Sequence, residues 1–212
     1  YTESDASGDI HKYCVDLSRV LSSKYGVKFR FNEKVKDING TSFPIISTDK
    51  EDIPFDKVVI CAGVKTQEFR NKFRDNFRIY PVKGYSITID LDDEISKSAA
   101  PHVSIKDDHN KIVSSRLGNR LRVAGTAELA GENKEVREER ITPLIEWVNN
   151  CFPEVNTENV ITWAGLRPMT SDMVPIMRES KRKNVFYNSG HGHLGWTMGA
   201  FAGKFISDLI ED

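Results

Sequence analysis

An uninterrupted apolar run from Val58 to Cys61 constrains the fold of this chain more than any other segment. A strand with one face in water alternates apolar and polar residues, whereas a strand covered on both faces is apolar throughout. The run therefore predicts a short parallel strand inside an α/β sheet. Ligands of such sheets bind beyond the carboxyl ends of the strands, which makes Ala62 and Gly63 candidate ligand neighbours. Small residues after a strand are also common elsewhere, so this signal is weak by itself.

The residues before this run predict a helix, a strand and a small meander. Apolar residues recur at helical spacing through residues 10–21. The alternation in Val27–Phe31 predicts a strand with one buried face. Short apolar stretches within residues 35–55 predict an antiparallel meander, with Asn39 and Gly40 as its hairpin turn.

The residues after Tyr80 predict an antiparallel sheet and two further helices. Apolar and polar residues alternate in residues 85–91 and again around Ile112 and residues 121–123. Helical periodicity follows in residues 136–148 and 194–210. The whole pattern indicates a mixed α/β (α+β) fold. We expect an α/β part in residues 1–80, an antiparallel sheet in residues 81–160, and a return to the α/β part in residues 161–212.

The composition excludes several classes of protein. With 30 Lys and Arg against 31 Asp and Glu, the net charge is −1, which gives no basis for a nucleic-acid partner. Cys14, Cys61 and Cys151 are an odd number without a paired spacing, so we expect buried, reduced thiols. His102 and His109 lack ligand spacing, and we predict no metal site. No apolar run approaches a membrane span, so we expect a cytoplasmic protein, alternatively one bound peripherally at the inner face of the cell membrane.

The segment from Asn188 to Thr197 carries the strongest functional signal. It predicts a strand end, a turn rich in Gly and His, and the start of a helix. Unpaired N–H groups and the positive end of the helix dipole make such a place suitable for a negative charge. Gly195, Gly199 and Gly203 share one helical face, which permits close packing against either a sheet or a ligand; the pattern alone does not distinguish the two.

Arg167 is the best candidate for binding an anionic ligand. It follows a predicted strand and precedes Pro168, which restricts its backbone. A guanidinium in this position can bind a carboxylate through two parallel hydrogen bonds. The alternative is a surface ion pair, the more common state of an arginine.

Four segments in this order resemble the D-amino-acid oxidase/glycine oxidase superfamily, and within it the D-amino-acid dehydrogenases of bacteria. They are Tyr80–Thr88 (YPVKGYSIT), Asn119–Glu128 (NRLRVAGTAE), Trp163–Thr170 (WAGLRPMT) and Asn188–Met198 (NSGHGHLGWTM). The resemblance implies an FAD-binding, Rossmann-like parallel sheet and an antiparallel substrate domain. It further implies oxidative deamination of a D-amino acid to a 2-oxo acid and ammonia by hydride transfer to the flavin. Electrons would then pass to a quinone of the respiratory chain.

The resemblance also implies roles for individual residues, although none is firmly assigned as catalytic. Arg167 would bind the substrate carboxylate, with His193, Tyr85 and Lys111 as weaker candidates for the substrate cavity. The residues implied in FAD binding are Val35, Ala62, Gly63, Gly165, Gly190, His191, Gly192, His193, Leu194, Gly195, Trp196 and Thr197.

The family begins with a strand, a Gly-x-Gly-x-x-Gly turn and a helix that hold the FAD pyrophosphate. We expect this chain to lack that motif, and its first residue is Tyr rather than Met. It is therefore expected to be the carboxy-terminal part of a longer enzyme, to bind FAD weakly or not at all, and to be inactive alone. Its incomplete sheet would leave an edge open to self-association.

Two other functions remain open on the sequence alone. The first is a glycine or sarcosine oxidase-like enzyme, which would share the contact between Arg167 and the carboxylate. The second is a non-catalytic binding or assembly module.

Overall fold

A computed structural model of the chain describes residues 2, 4 and 6–211. The α-helices are α1 (Ile10–Tyr25), α2 (Thr66–Phe73), α3 (Glu94–Ala99), α4 (Glu138–Cys151) and α5 (Gly195–Glu211). The strands are β1 (Val35–Asn39), β2 (Ile45–Thr48), β3 (Asp52–Pro54), β4 (Val58–Ile60), β5 (Tyr80–Asp90), β6 (Ile105–Asp107), β7 (Ile112–Leu117), β8 (Arg120–Glu128), β9 (Val160–Met169), β10 (Ile176–Glu179) and β11 (Val185–Ser189).

The chain divides into two compact units. Unit 1 comprises residues 1–15 and 82–166, and unit 2 comprises residues 16–81 and 167–212. The mixed α/β class is confirmed. The assignment of cofactor and substrate roles to separate parts of the chain stays a prediction.

Unit 1 is built on a five-stranded sheet in the order β6-β7-β8-β5-β9. The pairs β6–β7, β7–β8 and β5–β8 are antiparallel. This confirms the antiparallel sheet that the alternation of apolar and polar residues predicted. Gly118 and Asn119 form the two-residue turn between β7 and β8, and the φ of 64° at Gly118 explains the glycine there. Helix α4 buries Leu144 and Val148 completely in the core of this unit.

Unit 2 contains two three-stranded sheets, β1-β2-β3 and β10-β11-β4. Strand β4 pairs in parallel with β11, as the apolar run predicted, while β10 and β11 are antiparallel. The predicted meander is confirmed, but its first turn spans residues 40–44 instead of two residues. Val58, Ile60, Val185 and Tyr187 form the centre of the unit 2 core.

A buried carboxylate fixes part of this core. Asp75 is 4% exposed and accepts hydrogen bonds from Ser180 Oγ at 2.5 Å, Tyr187 Oη at 2.8 Å and the Lys181 backbone N–H at 2.8 Å. Burial disfavours the charged form, but these donors outweigh it and hold the pKa of Asp75 below its usual value. The network joins residue 75 to a segment more than 100 residues later.

Two expectations from the sequence are wrong. Val27–Phe31 forms no strand, because no neighbouring strand in the described chain supplies hydrogen bonds. Cys14, Cys61 and Cys151 are free thiols as expected, yet all three are exposed. The helix expected from residues 10–21 is present as α1, and none of its residues is buried.

We expect Tyr187→Phe to lower the free energy of unfolding by about 1–2 kcal/mol, because it removes one donor from the buried Asp75 carboxylate. Tyr80→Phe is the matched control, since Tyr80 is 46% exposed. Urea denaturation followed by circular dichroism measures both changes. Equal stability of the two variants would contradict a structural role for this network.

Candidate functional site

The candidate site lies at the carboxyl ends of β4 and β11 in unit 2. Because these strands are parallel and adjacent, the loops that follow them leave the sheet at the same edge. Thr66 Oγ1 bonds to Ser189 Oγ at 3.0 Å, and Ser189 Oγ bonds to the carbonyl of Gly63 at 3.2 Å. Thr66 is fully buried and Ser189 is 4% exposed. This hydroxyl chain joins Ala62 and Gly63 to the base of the Gly/His turn.

The Gly/His turn leads directly into the 17-residue helix α5. Gly190 has a φ of 80° and Gly192 a φ of 57°, which explains glycine at both positions. The Leu194 N–H closes the turn on the carbonyl of His191 at 2.9 Å. The first N–H groups of an α-helix have no partner within the helix, so the positive end of the α5 dipole faces this turn.

Arg167 lies on the strand end that is paired with this turn. The Gly192 N–H donates to the carbonyl of Pro168 at 3.0 Å, and Met169 forms an antiparallel bridge with His191. Burial lowers the pKa of the half-buried Arg167 guanidinium, but an arginine keeps its proton in proteins. A permanent cation and a helix N-terminus are thus held in the same part of unit 2.

Two polar atoms near the turn have no hydrogen-bond partner among the described residues. Thr170 is 7% exposed with Oγ1 unpaired, and the Nε2 atom of His191 is buried and unpaired. Both residues line a small cavity with Met169, Met173 and residues 190–194. Burial lowers the pKa of His191, so its ring favours the neutral form. Buried polar atoms without partners are costly, and they fit the edge of a flat ligand that carries electronegative atoms, such as a flavin.

The Gly-x-Gly-x-x-Gly spacing, which we expected to be missing, occurs within the turn itself. Gly190, Gly192 and Gly195 have this spacing between β11 and α5. The expectation is therefore wrong for the spacing. A dinucleotide fingerprint also requires a βαβ unit around the spacing, so the spacing alone is a weak signal.

The other predicted cofactor residues have different surroundings. Val35 begins β1 and is 42% exposed. Gly165 belongs to unit 1, where a Cβ atom would come within 2.0 Å of the Trp163 ring, so glycine is needed there for packing. His193, Trp196 and Thr197 are exposed along the turn and the first turn of α5. Their predicted roles toward FAD stay predictions.

Tyr85 and Lys111 belong to unit 1. Lys111 is exposed between β6 and β7 with a φ of 57°. Tyr85 is 1% exposed, and its hydroxyl donates to Glu128 in the core of the unit. This placement disfavours a substrate role for Tyr85, which stays a prediction.

Tyr85 is part of a buried ionic cluster. The fully buried Lys83 ammonium lies 3.0 Å from Glu128 and donates to the carbonyl of Glu135 at 3.0 Å. Arg137 reaches the other oxygen of Glu128 at 2.9 Å. The hydrogen bond from Tyr85 and the ion pair with Lys83 hold the pKa of Glu128 below its usual value. The cluster ties the segment between β8 and α4 to the sheet.

The sequence did not single out Thr66, Ser189 and Thr170 as site residues. Serine and threonine are common at strand and helix ends, and no spacing distinguishes a buried hydroxyl from an exposed one. Ser189 and Thr170 lie in two of the segments that carry the resemblance, Asn188–Met198 and Trp163–Thr170, and Thr66 closely follows Gly63.

The described residues contain no group of three or more His, Cys, Asp or Glu side chains arranged to hold a metal ion. Within the same residues, no helix has both the length and the apolar character to cross a bilayer.

The chain is similar to known proteins over nearly its whole length. A family model described as FAD dependent oxidoreductase matches residues 1–209. D-amino acid dehydrogenase 3 of Mesorhizobium japonicum is 48% identical over 99% of this chain and 52% of its own length. The D-amino acid dehydrogenase of Paramagnetospirillum magneticum is 37% identical over 100% of this chain and 50% of its own length. The chain thus spans about half the length of these relatives.

Solved structures show the same fold. Iminodiacetate oxidase from Chelativorans sp. BNC1 superimposes with a TM-score of 0.79 over 95% of this chain and 54% of that chain, at 22% identity. Glycine oxidase from Bacillus cereus has a TM-score of 0.71 over 84% of this chain and 50% of that chain, at 25% identity.

We expect Gly192→Ala to lower the free energy of unfolding by about 1–3 kcal/mol, because its φ is positive and its Cβ would meet Met169 Sδ at 2.5 Å. Gly199→Ala is the matched control, since it lies inside α5 with no atom near its Cβ position. That control is expected to raise the stability by about 0.5–1 kcal/mol. Equal effects of the two changes in thermal unfolding would contradict the close contact at Gly192.

Proposed function

Because this chain belongs to the FAD dependent oxidoreductase family, we propose that it supplies substrate-binding and flavin-facing residues for the oxidative deamination of D-amino acids. The observation that carries the proposal is the hydrogen bond from the Gly192 N–H to the carbonyl of Pro168, which ties the backbone next to Arg167 to the turn that precedes α5. The 48% identity to D-amino acid dehydrogenase 3 of Mesorhizobium japonicum supports the choice of substrate class.

Arg167 binds the α-carboxylate of the amino acid in this proposal. Its half-buried guanidinium gives stronger and more directional hydrogen bonds than an exposed one, because water competes less. Pro168 and the Gly192 hydrogen bond fix the backbone on its carboxyl side. The substrate is thereby held in one orientation, which lowers the entropic part of the barrier.

FAD, when bound, accepts the hydride from the substrate α-carbon and so supplies the redox chemistry. Residues 190–197, Ala62 and Gly63 are the part of this chain that would hold it, with Val35 and Gly165 as further candidates. The N-terminus of α5 stabilises negative charge on a group placed against it. Thr170 Oγ1 and His191 Nε2, which are buried without a partner, would be available to hydrogen-bond polar atoms of that group. Water then hydrolyses the imino acid to a 2-oxo acid and ammonia.

We assign no catalytic acid or base to this chain, since a neutral amine requires none for hydride loss. A quinone is the proposed electron acceptor. By itself the chain is expected to bind FAD weakly or not at all, and purified protein with a flavin absorbance spectrum would contradict this.

A glycine oxidase-like activity is the second candidate, favoured by the fold match to glycine oxidase from Bacillus cereus. The two functions share the contact between Arg167 and a carboxylate and differ in the room left for a side chain. The test joins this chain to the part of D-amino acid dehydrogenase 3 that it does not match. Flavin content and dye reduction are then measured with D-alanine and with glycine. A flavin-loaded protein that reduces dye with neither would contradict the proposed function.

In that flavin-loaded enzyme, Arg167→Met is expected to raise the KM for D-alanine on the order of 100-fold, because the carboxylate loses its cationic partner. Arg19→Met is the control, since the Arg19 side chain is 74% exposed on α1. The flavin content of each purified variant shows whether that variant has assembled correctly. An unchanged KM for the Arg167 variant would remove Arg167 from the substrate site.

A further inference from the structure

Unit 2 carries a cluster of positive charge away from the candidate site. Residues 70–78 contain four Arg or Lys residues and one Asp, and residues 178–183 contain four Arg or Lys residues and one Glu. The second segment forms the end of β10 and the turn before β11. The candidate site follows the carboxyl ends of β4 and β11, so a turn that precedes β11 lies at the opposite end of this sheet.

Hydrogen bonds hold the two basic segments together. The Lys181 backbone N–H donates to the Asp75 carboxylate at 2.8 Å, and the Lys181 ammonium donates to the carbonyl of Arg74 at 2.8 Å. The Arg178 guanidinium donates to the carbonyl of Asn76 at 3.1 Å. Like charges repel, yet these contacts keep the cations of both segments close to one another.

An open pocket of about 320 Å³ lies between these segments and the turn after β1. Its cations are Lys72, Lys181 and Arg182, and the rest of its lining is residues 38–40 and Phe73. The Lys72 ammonium is held at the rim by hydrogen bonds to the side chains at positions 37 and 39. The pocket therefore has its cations in place without a ligand.

The charge of this pocket is only partly balanced by acidic side chains. Asp37 pairs with Lys72, and that hydrogen bond keeps the pKa of Asp37 below its usual value, so its carboxylate stays charged. Glu179 accepts the backbone N–H of residue 184 instead of binding a cation. The half-buried Arg182 guanidinium has no hydrogen bond or ion pair with any residue that the structure describes. Within the same residues, the Lys181 ammonium has a carbonyl as its partner and no carboxylate.

We propose that this pocket binds a phosphate group, supplied either by a free phosphate compound or by the headgroup of an anionic phospholipid. A phosphate group offers several acceptor oxygens and at least one full negative charge, which suits cations that converge from different segments. The planar guanidinium of Arg182 can bind two of these oxygens at once, while Lys181 contributes a point charge. Flavin and amino-acid substrate take no part in this binding.

The turn between β1 and β2 distinguishes the two sources. Phe43 is 58% exposed in this turn. The side-chain amide of Asn184 donates to the carbonyl of Ser42 at 3.2 Å, which joins the turn to the basic one before β11. An exposed aromatic ring beside cations is typical of surfaces that contact lipid headgroups. A phospholipid therefore uses Phe43 as well as the pocket, whereas a free phosphate compound uses the pocket alone.

The test measures the binding of two probes to the complete chain. Inorganic pyrophosphate is titrated by calorimetry, and vesicles of phosphatidylglycerol with phosphatidylcholine are compared with vesicles of phosphatidylcholine alone in a sedimentation assay. We expect saturable binding of pyrophosphate, of the phosphatidylglycerol vesicles, or of both. The binding weakens as the salt concentration rises, because ions screen exposed charges. Binding of pyrophosphate identifies a free phosphate compound as a source, and binding of the anionic vesicles alone identifies the phospholipid.

The decisive variant combines Lys181→Gln with Arg182→Gln. It removes the two cations that lack a carboxylate partner and keeps the backbone hydrogen bonds of the turn. We expect the bound probe to dissociate about tenfold more readily or more. The matched control combines Arg19→Gln with Lys204→Gln, whose side chains are 74% and 78% exposed on α1 and α5. It has the same net charge as the pocket variant and is expected to bind within about twofold of the unchanged chain.

Phe43→Ser separates the two sources further. It is expected to weaken binding to the anionic vesicles about threefold or more and to leave pyrophosphate binding unchanged. Circular dichroism shows whether each variant is folded.

Two results would overturn the proposal. The first is that neither pyrophosphate nor the phosphatidylglycerol vesicles bind at low salt. The second is that the pocket variant binds as tightly as the control variant, since the binding would then follow net charge and not this pocket. Neither assay involves turnover, so failure of the proposed oxidation would leave both results intact.

Discussion

The parallel pairing of β4 with β11 is the contact on which the candidate site depends. It brings together two segments that are more than 120 residues apart in the chain. It places Gly63 and Gly190 at the same sheet edge, where the hydroxyls of Thr66 and Ser189 join them. The Gly/His turn then binds the end of β9 through Gly192 and Pro168. Each step positions the next, and together they tie the backbone next to Arg167 to the turn that precedes α5.

The electrostatics of the site follow from this arrangement. A helix N-terminus and a guanidinium both favour negative charge, and partial burial weakens the competition from water. Neither group depends on a change in protonation near neutral pH, because Arg167 keeps its proton and the helix dipole is a property of the backbone. Both groups therefore keep a charge or partial charge that attracts anions across the neutral pH range.

The sequence predicted the helices, strands and turns better than it predicted the contacts between them. The run at residues 58–61, the turn at Gly118 and the final helix were readable, because each depends on local chemistry or periodicity. The strand predicted at Val27–Phe31 was wrong, since a strand requires a neighbour that a periodic pattern cannot specify. In the site, Arg167 and the Gly/His turn were found as separate motifs. The hydrogen bond from the Gly192 N–H to the Pro168 carbonyl and the unpaired hydroxyl of Thr170 depend on tertiary contacts that no spacing encodes.

The ionic cluster of unit 1 also determines how that unit reacts chemically. Lys83 has no exposed surface, and its amine is held by Glu128 and a backbone carbonyl. Acylating reagents attack a free, solvent-accessible amine, so the exposed lysines of the chain react first and Lys83 is shielded. Its acylation requires the sheet and the segment before α4 to separate. The rate at which Lys83 is acylated would therefore measure how often unit 1 opens.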